Sequence, residues 1–220
     1  MAEKESYLKD EVNELKKVWP DNHSFCIVCH GHSIPCGYTE GVVTRPFDAY
    51  PHLLHRELSI RFPYSVINVI VSAKGGENSV EGAKRFQTDV LNHKPDLVLI
   101  DYGRNDMFCS EEVMRQAWSD MIEQALMSGC KVLLITPAPD CGGIYYEEEK
   151  RMLSDDAMAD VIRSLADAYD VGLADAKKVF DHKFRQGHSH NEYMVSVNHI
   201  NKKGHAIVAD CLLEWFPFIS

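Results

Sequence analysis

The 220-residue chain has no run of lysine or arginine, and its 23 basic residues are outnumbered by 33 acidic ones, a net charge of −10 with the histidines neutral. Such a chain repels phosphate backbones, so nucleic acid is not an expected partner. It also lacks any stretch near the roughly 20 apolar residues of a membrane helix, which removes the membrane as a partner. Residues 1–20 are charged and carry no apolar signal-peptide core, which points to the cytoplasm. No internal repeat or low-complexity linker interrupts the sequence. Regular cysteine spacing is missing too: there are seven cysteines, an odd number, as expected of reduced thiols without a disulfide framework. Cys26 and Cys29 form a C-x-x-C, but Ile27 and Val28 between them mark a strand. A strand sends residues three apart to opposite faces, so buried structural thiols are expected there, not a redox or zinc pair.

What is present is an ordinary globular composition, 45% hydrophobic and 25% charged, in a length that can bury one core. We expect one domain over residues 1–220, with 1–20 forming a peripheral helix (Lys4–Val18) that packs on its own domain or on a second subunit. Short apolar runs at Ser24–Val28, Ser65–Val71, Leu97–Tyr102, Lys131–Ile135 and Val171–Ala174 read as strands buried on both faces. Helical patterns lie between them. Val80, Ala83, Phe86 and Val90 line one face, Ala157, Val161, Ile162, Leu165, Ala166 and Tyr169 another. Val113–Leu126 opens with a Ser110 cap followed by two acids and stops at Gly129. Asp48–Arg61 and Ala206–Phe216 complete the set. This alternation predicts an α/β fold, a doubly wound three-layer α/β/α sandwich, with its ligand crevice outside the carboxyl ends of the strands.

Four segments stand at those ends: Gly31-His32-Ser33, Gly76-Glu77-Asn78-Ser79, Gly103-Arg104-Asn105-Asp106 and, before the last helix, His199-Ile200-Asn201 followed by Gly204-His205. Together they are the parts of an acyl-transfer site. A serine needs an imidazole to take its proton, and the tetrahedral oxyanion needs N–H donors such as a glycine backbone amide and an asparagine side chain.

In these four blocks, taken in order, the chain resembles the SGNH hydrolases, also called GDSL-type esterases, over nearly all of Ser24–Phe216. Gly31-His32-Ser33 stands where that family has Gly-Asp-Ser, and Gly103-Arg104-Asn105-Asp106 meets its Gly-x-Asn-Asp block in full. The resemblance implies a flavodoxin-like five-stranded parallel sheet, Ser33 as nucleophile and His199 as general base. It assigns the oxyanion hole to Ser33 N–H, Gly76 N–H and the Asn105 side chain, and implies no cofactor and no metal.

Two departures matter. His32 replaces the family's aspartate beside the nucleophile, and Ser196 stands three before His199, where the family has the triad acid. Loss of that acid can cost about 10⁴ in kcat. Three arrangements follow from it: His199 is oriented by the Ser196 hydroxyl or a backbone carbonyl, a loop carboxylate such as Glu192 takes over, or the protein binds without catalysing. His30/His32 and His188/His190 form two H-x-H pairs, a spacing compatible with metal ligation, so a metal-dependent hydrolase is a third class of reading. Arg104 can meet an anionic substrate or pair with an acid such as Glu77. His205 reads as structural, Asp106 as a turn former, Pro137–Tyr146 as a loop near the crevice and Glu147–Arg151 as a solvated helix start. The expected function is a serine esterase acting on a small acyl ester, such as acetyl on a sugar or other polar molecule, with a small-molecule substrate as its partner.

Overall fold

The computed structural model describes residues 1–40, 43–140 and 151–217. Five parallel strands, β1 (Ser24–Gly31), β2 (Val66–Ala73), β3 (Leu97–Asp101), β4 (Lys131–Ile135) and β5 (Gly172–Ala174), form one sheet in the order β2-β1-β3-β4-β5. This is the flavodoxin-like order, whose switch point falls between β1 and β3. The helices in chain order are α1 (Lys4–Tyr7), α2 (Lys9–Leu15), α3 (Ser33–Cys36), α4 (Tyr50–Arg61), α5 (Ser79–Lys84), α6 (Phe86–Asp89), α7 (Glu111–Met127), α8 (Asp155–Ala168), α9 (Ala176–Arg185) and α10 (Lys202–Leu213).

Alternation along the strands builds a core on each side of the sheet. Ile27, Cys29, Leu97 and Leu99 face α4 and α10, with Leu54, Leu58, Val208 and Trp215. Val28, Val98, Ile100 and Val132 face α7 and α8, with Trp118, Met121, Ile162 and Leu165. The two cysteines of the C-x-x-C divide accordingly: Cys29 is in the first core, Cys26 packs on the second, and both are free thiols.

Local sequence sets the boundaries. Ser110 and Ser154 accept hydrogen bonds from the N–H groups of Val113 and Ala157 and cap α7 and α8. The leading pattern divides into α1 and α2, and its apolar face, Leu8, Val12 and Leu15, is built into the core. The Val80–Val90 pattern likewise breaks at Arg85, whose side chain turns inward to the Glu77 carboxylate described below. Most of the Pro137–Tyr146 loop and of the Glu147–Arg151 helix start falls at 141–150, outside the described residues. No described helix is long and apolar enough to cross a membrane.

Candidate active site

β1 ends at Gly31, in register with Asp101 on β3 and Ala73 on β2. A Cβ at Gly31 would stand 2.4 Å from the Asp101 carbonyl oxygen and 2.9 Å from Pro35 Cγ, so only glycine lets the chain turn here against its neighbour. The turn delivers Ser33 as the first residue of α3. At that position its N–H has no acceptor within the helix and is available to a ligand. His32 is the N-cap: its Nδ1 accepts the Ile34 N–H at 3.1 Å.

The last block reaches the same point from the far end of the chain. Met194 and Ile200 form a bridge, and the Val195 and Ser196 N–H groups donate to the His199 carbonyl, closing a tight loop that presents the His199 ring. Asn201 then caps α10 by accepting from the Lys203 and Gly204 N–H groups. His199 Nε2 lies 3.0 Å from Ser33 Oγ, and its Nδ1 lies 3.2 Å from Ser196 Oγ. Ser196 Oγ is in turn 3.3 Å from Asn198 Oδ1. One proton order satisfies all three contacts. Ser33 donates to Nε2, Nδ1–H donates to Ser196, and Ser196 donates to the Asn198 carbonyl oxygen. Burial, with the Arg104 charge adding to it, holds the His199 pKa below that of a free imidazole. The ring of Tyr38 stacks alongside it.

Glu192, the alternative partner for His199, is engaged elsewhere. It accepts from the Ser189 N–H and lies 3.0 Å from His188 Nδ1, in a capping box at residues 189–192.

Gly76 has φ of +80°, a conformation that favours glycine, and a Cβ there would meet nothing within 4 Å. Backbone conformation, not crowding, is its requirement. The following residue ties this loop to the third block: the Glu77 carbonyl accepts from Asn105 Nδ2 at 2.8 Å. An amide nitrogen carries two hydrogens, so the second is left for a ligand. Asp106 is far more than a turn former. It is buried, accepts from the Ser79 N–H at 2.8 Å and from Trp118 Nε1 at 2.7 Å, and so joins the second block to the third and to α7. Its burial pushes its pKa up to about 6.

One expectation is corrected. Arg104 does not pair with Glu77. It is buried against Asp140 and against Asp155, the latter at 3.0 Å, because the residue after Gly103 points back under α8. Glu77 is held instead by Arg85, from Nε at 2.8 and 2.9 Å, and by the Tyr102 hydroxyl at 2.7 Å. The resemblance assigns nothing to Arg85, Tyr102 or Asp101, although a carboxylate closing the apolar run of β3 is itself a sequence signal. His205 is structural as expected: it is buried, and its Nδ1 accepts the Tyr50 N–H.

The histidine pairs take separate roles. His30 Nδ1 contacts the Ser72 carbonyl oxygen and its Nε2 the Gly82 carbonyl oxygen, while the His190 ring stacks on Phe184. Among the described residues no group of three or more His, Cys, Asp or Glu side chains is placed to hold a metal ion.

A serine hydroxyl on an imidazole at the carboxyl ends of a doubly wound sheet is an arrangement suited to ester hydrolysis. The chain belongs to the GDSL-like Lipase/Acylhydrolase family, whose model matches residues 29–207, within the SGNH hydrolase superfamily. It is a carboxylic ester hydrolase. No curated protein matches it, but many solved structures share the fold. LAE5, an α/β hydrolase enzyme from the metagenome of Lake Arreo, Spain, is 22% identical with a TM-score of 0.73, over 87% of this chain and 94% of that one. Axe2, an acetylxylan esterase from Geobacillus stearothermophilus, is 19% identical with a TM-score of 0.74, over 89% and 95%. The two-domain esterase CEX, active on acetylated mannans, is 21% identical with a TM-score of 0.74, over 96% of this chain and 52% of that one. Two further Axe2 structures are catalytic mutants, one with a serine and one with a histidine changed to alanine.

Proposed function

We propose that the protein is a cytoplasmic serine esterase that removes a small acyl group, acetyl in the first instance, from a sugar or similar polar alcohol. The observation that carries this reading is the unbroken contact from Ser33 Oγ through His199 to Ser196 Oγ. His199 Nε2 takes the Ser33 proton as Oγ attacks the ester carbonyl carbon. The carbonyl oxygen, now an oxyanion, is held by Ser33 N–H, Gly76 N–H and Asn105 Nδ2–H. His199 returns the proton to the departing alcohol oxygen, leaving an acyl-enzyme on Ser33. Water, deprotonated by the same imidazole, attacks that ester and releases the acid and free Ser33. The steps use only this chain and water.

In this scheme Ser196 stands in for the triad acid as a neutral acceptor. It fixes the tautomer but supplies no countercharge to the imidazolium. The Glu77–Arg85–Tyr102 cluster positions the oxyanion loop, since the same residue whose carboxylate is clamped offers the carbonyl that orients Asn105. A cleft of about 430 Å³ beside the His199 loop is lined by Arg45, Asp48, Asn201 and Lys202 together with Val43, Val195 and Ile200, and offers a leaving alcohol both hydrogen-bond partners and apolar surface. Acetyl preference is further supported by the acetylxylan and acetylated-mannan activities of the structural neighbours. The replacement of the triad acid by Ser196 favours one other reading, a binding protein that has lost turnover.

Acetate release from acetylated xylo- and manno-oligosaccharides, set beside a p-nitrophenyl ester series of increasing acyl length, tests the proposal. Acetyl should be the preferred acyl group in both. A maximum at long acyl chains removes the acetyl-esterase reading, and no turnover of any ester leaves the binding protein.

A further inference from the structure

Beneath the nucleophile turn lies a carboxylate–imidazole contact that the scheme above does not use. Asp101 ends β3 at the switch point, in register with Gly31, and its carbonyl oxygen accepts the His32 N–H. Its side chain is buried, among the described residues it has no arginine or lysine partner, and burial pushes its pKa up to about 7. His32 Nε2 lies 3.6 Å from Asp101 Oδ1 and has no hydrogen-bond partner of its own. The Tyr50 hydroxyl, also buried and without a hydrogen bond of normal length, faces the same carboxyl from α4. Two polar hydrogens thus converge on one acceptor group at the base of the site.

The His32 ring is constrained at its other nitrogen. Because Nδ1 receives the Ile34 N–H, it must be the lone-pair nitrogen, and the ring proton must sit on Nε2. His32 is held neutral by burial, with its pKa pushed down to about 3, so tautomer choice is the one freedom left to it. A proton on Nδ1 would face the Ile34 N–H and break the cap one residue from Ser33.

We propose that Asp101 is a positioning residue for the nucleophile, acting through His32: its carboxyl selects the Nε2–H tautomer that lets His32 cap the Ser33 helix. The acid that the family carries next to the serine has moved to the neighbouring strand, with an imidazole inserted between it and the turn. This role rests on Ser33 being the nucleophile.

The pairing makes a specific claim about combined substitutions. Asp101→Asn keeps an acceptor oxygen towards Nε2 and should retain kcat within about threefold, whereas Asp101→Leu should lower kcat by about 10²-fold at nearly unchanged KM, the cost of a slightly misplaced reacting group. His32→Asp restores the family residue but sets two buried carboxyls against each other. Alone it should be at least as impaired as Asp101→Leu, and adding Asp101→Asn should recover about tenfold or more. In ¹⁵N spectra, His32 should show a protonated Nε2 in wild type and Asp101→Asn, and a tautomer mixture in Asp101→Leu.

Full kcat with an unchanged tautomer in Asp101→Leu overturns the proposal, as does a His32→Asp defect that Asp101→Asn does not relieve. If Asp101→Leu does not fold, the His32→Asp pair decides. The tautomer spectrum needs no turnover, so it still reports on Asp101 if wild-type Ser33 proves unreactive, a result that would count against the esterase reading instead.

Discussion

Ser196 is where this site differs most from a serine-histidine-acid triad, and changing it isolates what a neutral hydroxyl contributes. In the resting enzyme Nδ1–H donates to Ser196 Oγ at 3.2 Å. A neutral hydrogen bond contributes about 0.5–1.5 kcal/mol, and one from a charged group about 1.5–3. The contact therefore strengthens by roughly 1–1.5 kcal/mol as the imidazolium forms. Losing the tautomer preference in Ser196→Ala adds about 1 kcal/mol more, for a total near 2 kcal/mol, or about 30-fold in kcat. That is well short of the roughly 10⁴ lost when a true triad acid is neutralised. Ser196→Asp should act in the opposite sense. A carboxylate on Nδ1–H raises the His199 pKa, moves the acid limb of the rate profile upward and increases kcat. Steady-state kinetics on one acetyl ester from pH 4.5 to 9 measure all three. A Ser196→Ala enzyme within about threefold of wild type would refute the argument, and so would a Ser196→Asp enzyme whose acid limb stays in place.

Three other outcomes follow from the same geometry. Since burial and Arg104 lower the His199 pKa and the base must be neutral, kcat/KM of wild type should rise with pH through an apparent pKa below the 6.5 of free imidazole and then level off; an acid limb above 7 contradicts this. Asn105→Ala removes an oxyanion donor and should cost about 10²–10³ in kcat with little change in KM, measured on the same ester. His205 is buried with its pKa pushed down to about 3, so the folded state refuses a proton that the unfolded chain accepts below pH 6.5. Its contribution is present above that pH and is lost as pH falls, by about 2 kcal/mol between pH 6.5 and 5. His205→Gln keeps an acceptor for the Tyr50 N–H and should flatten the pH dependence of the urea midpoint by that amount; an unaltered slope would argue against it.

The fold was legible because strands buried on both faces announce themselves as unbroken aliphatic runs, and all five runs became strands of one parallel sheet. Caps carry local chemistry, so Ser110 marked the start of α7 correctly. Helix continuity was harder to read. Arg85 lies in the middle of an apolar spacing that fits one helix, and its inward turn to Glu77 is a tertiary event. The helix α9 was not among the expected elements, for only Ala176 and Phe180 of its ten residues are buried and its remaining pattern is dominated by charge. That Ser33 and His199 would meet was legible because each belongs to a motif. Arg104 pairs with acids, as one of its two readings had it, but the turn at residues 103–108 sends it to Asp140 and Asp155 and not to Glu77. The Asp101–His32 contact depends on strand register, which no spacing within one strand reveals.

In the proposed mechanism Ser33 is activated by His199 without a triad carboxylate. Intact-mass analysis after exposure to a fluorophosphonate, on wild type and on Ser33→Ala, tests it directly. A single adduct on wild type and none on the variant is the expected result. Folded wild-type protein that takes up no adduct, or an adduct that persists in Ser33→Ala, would contradict it.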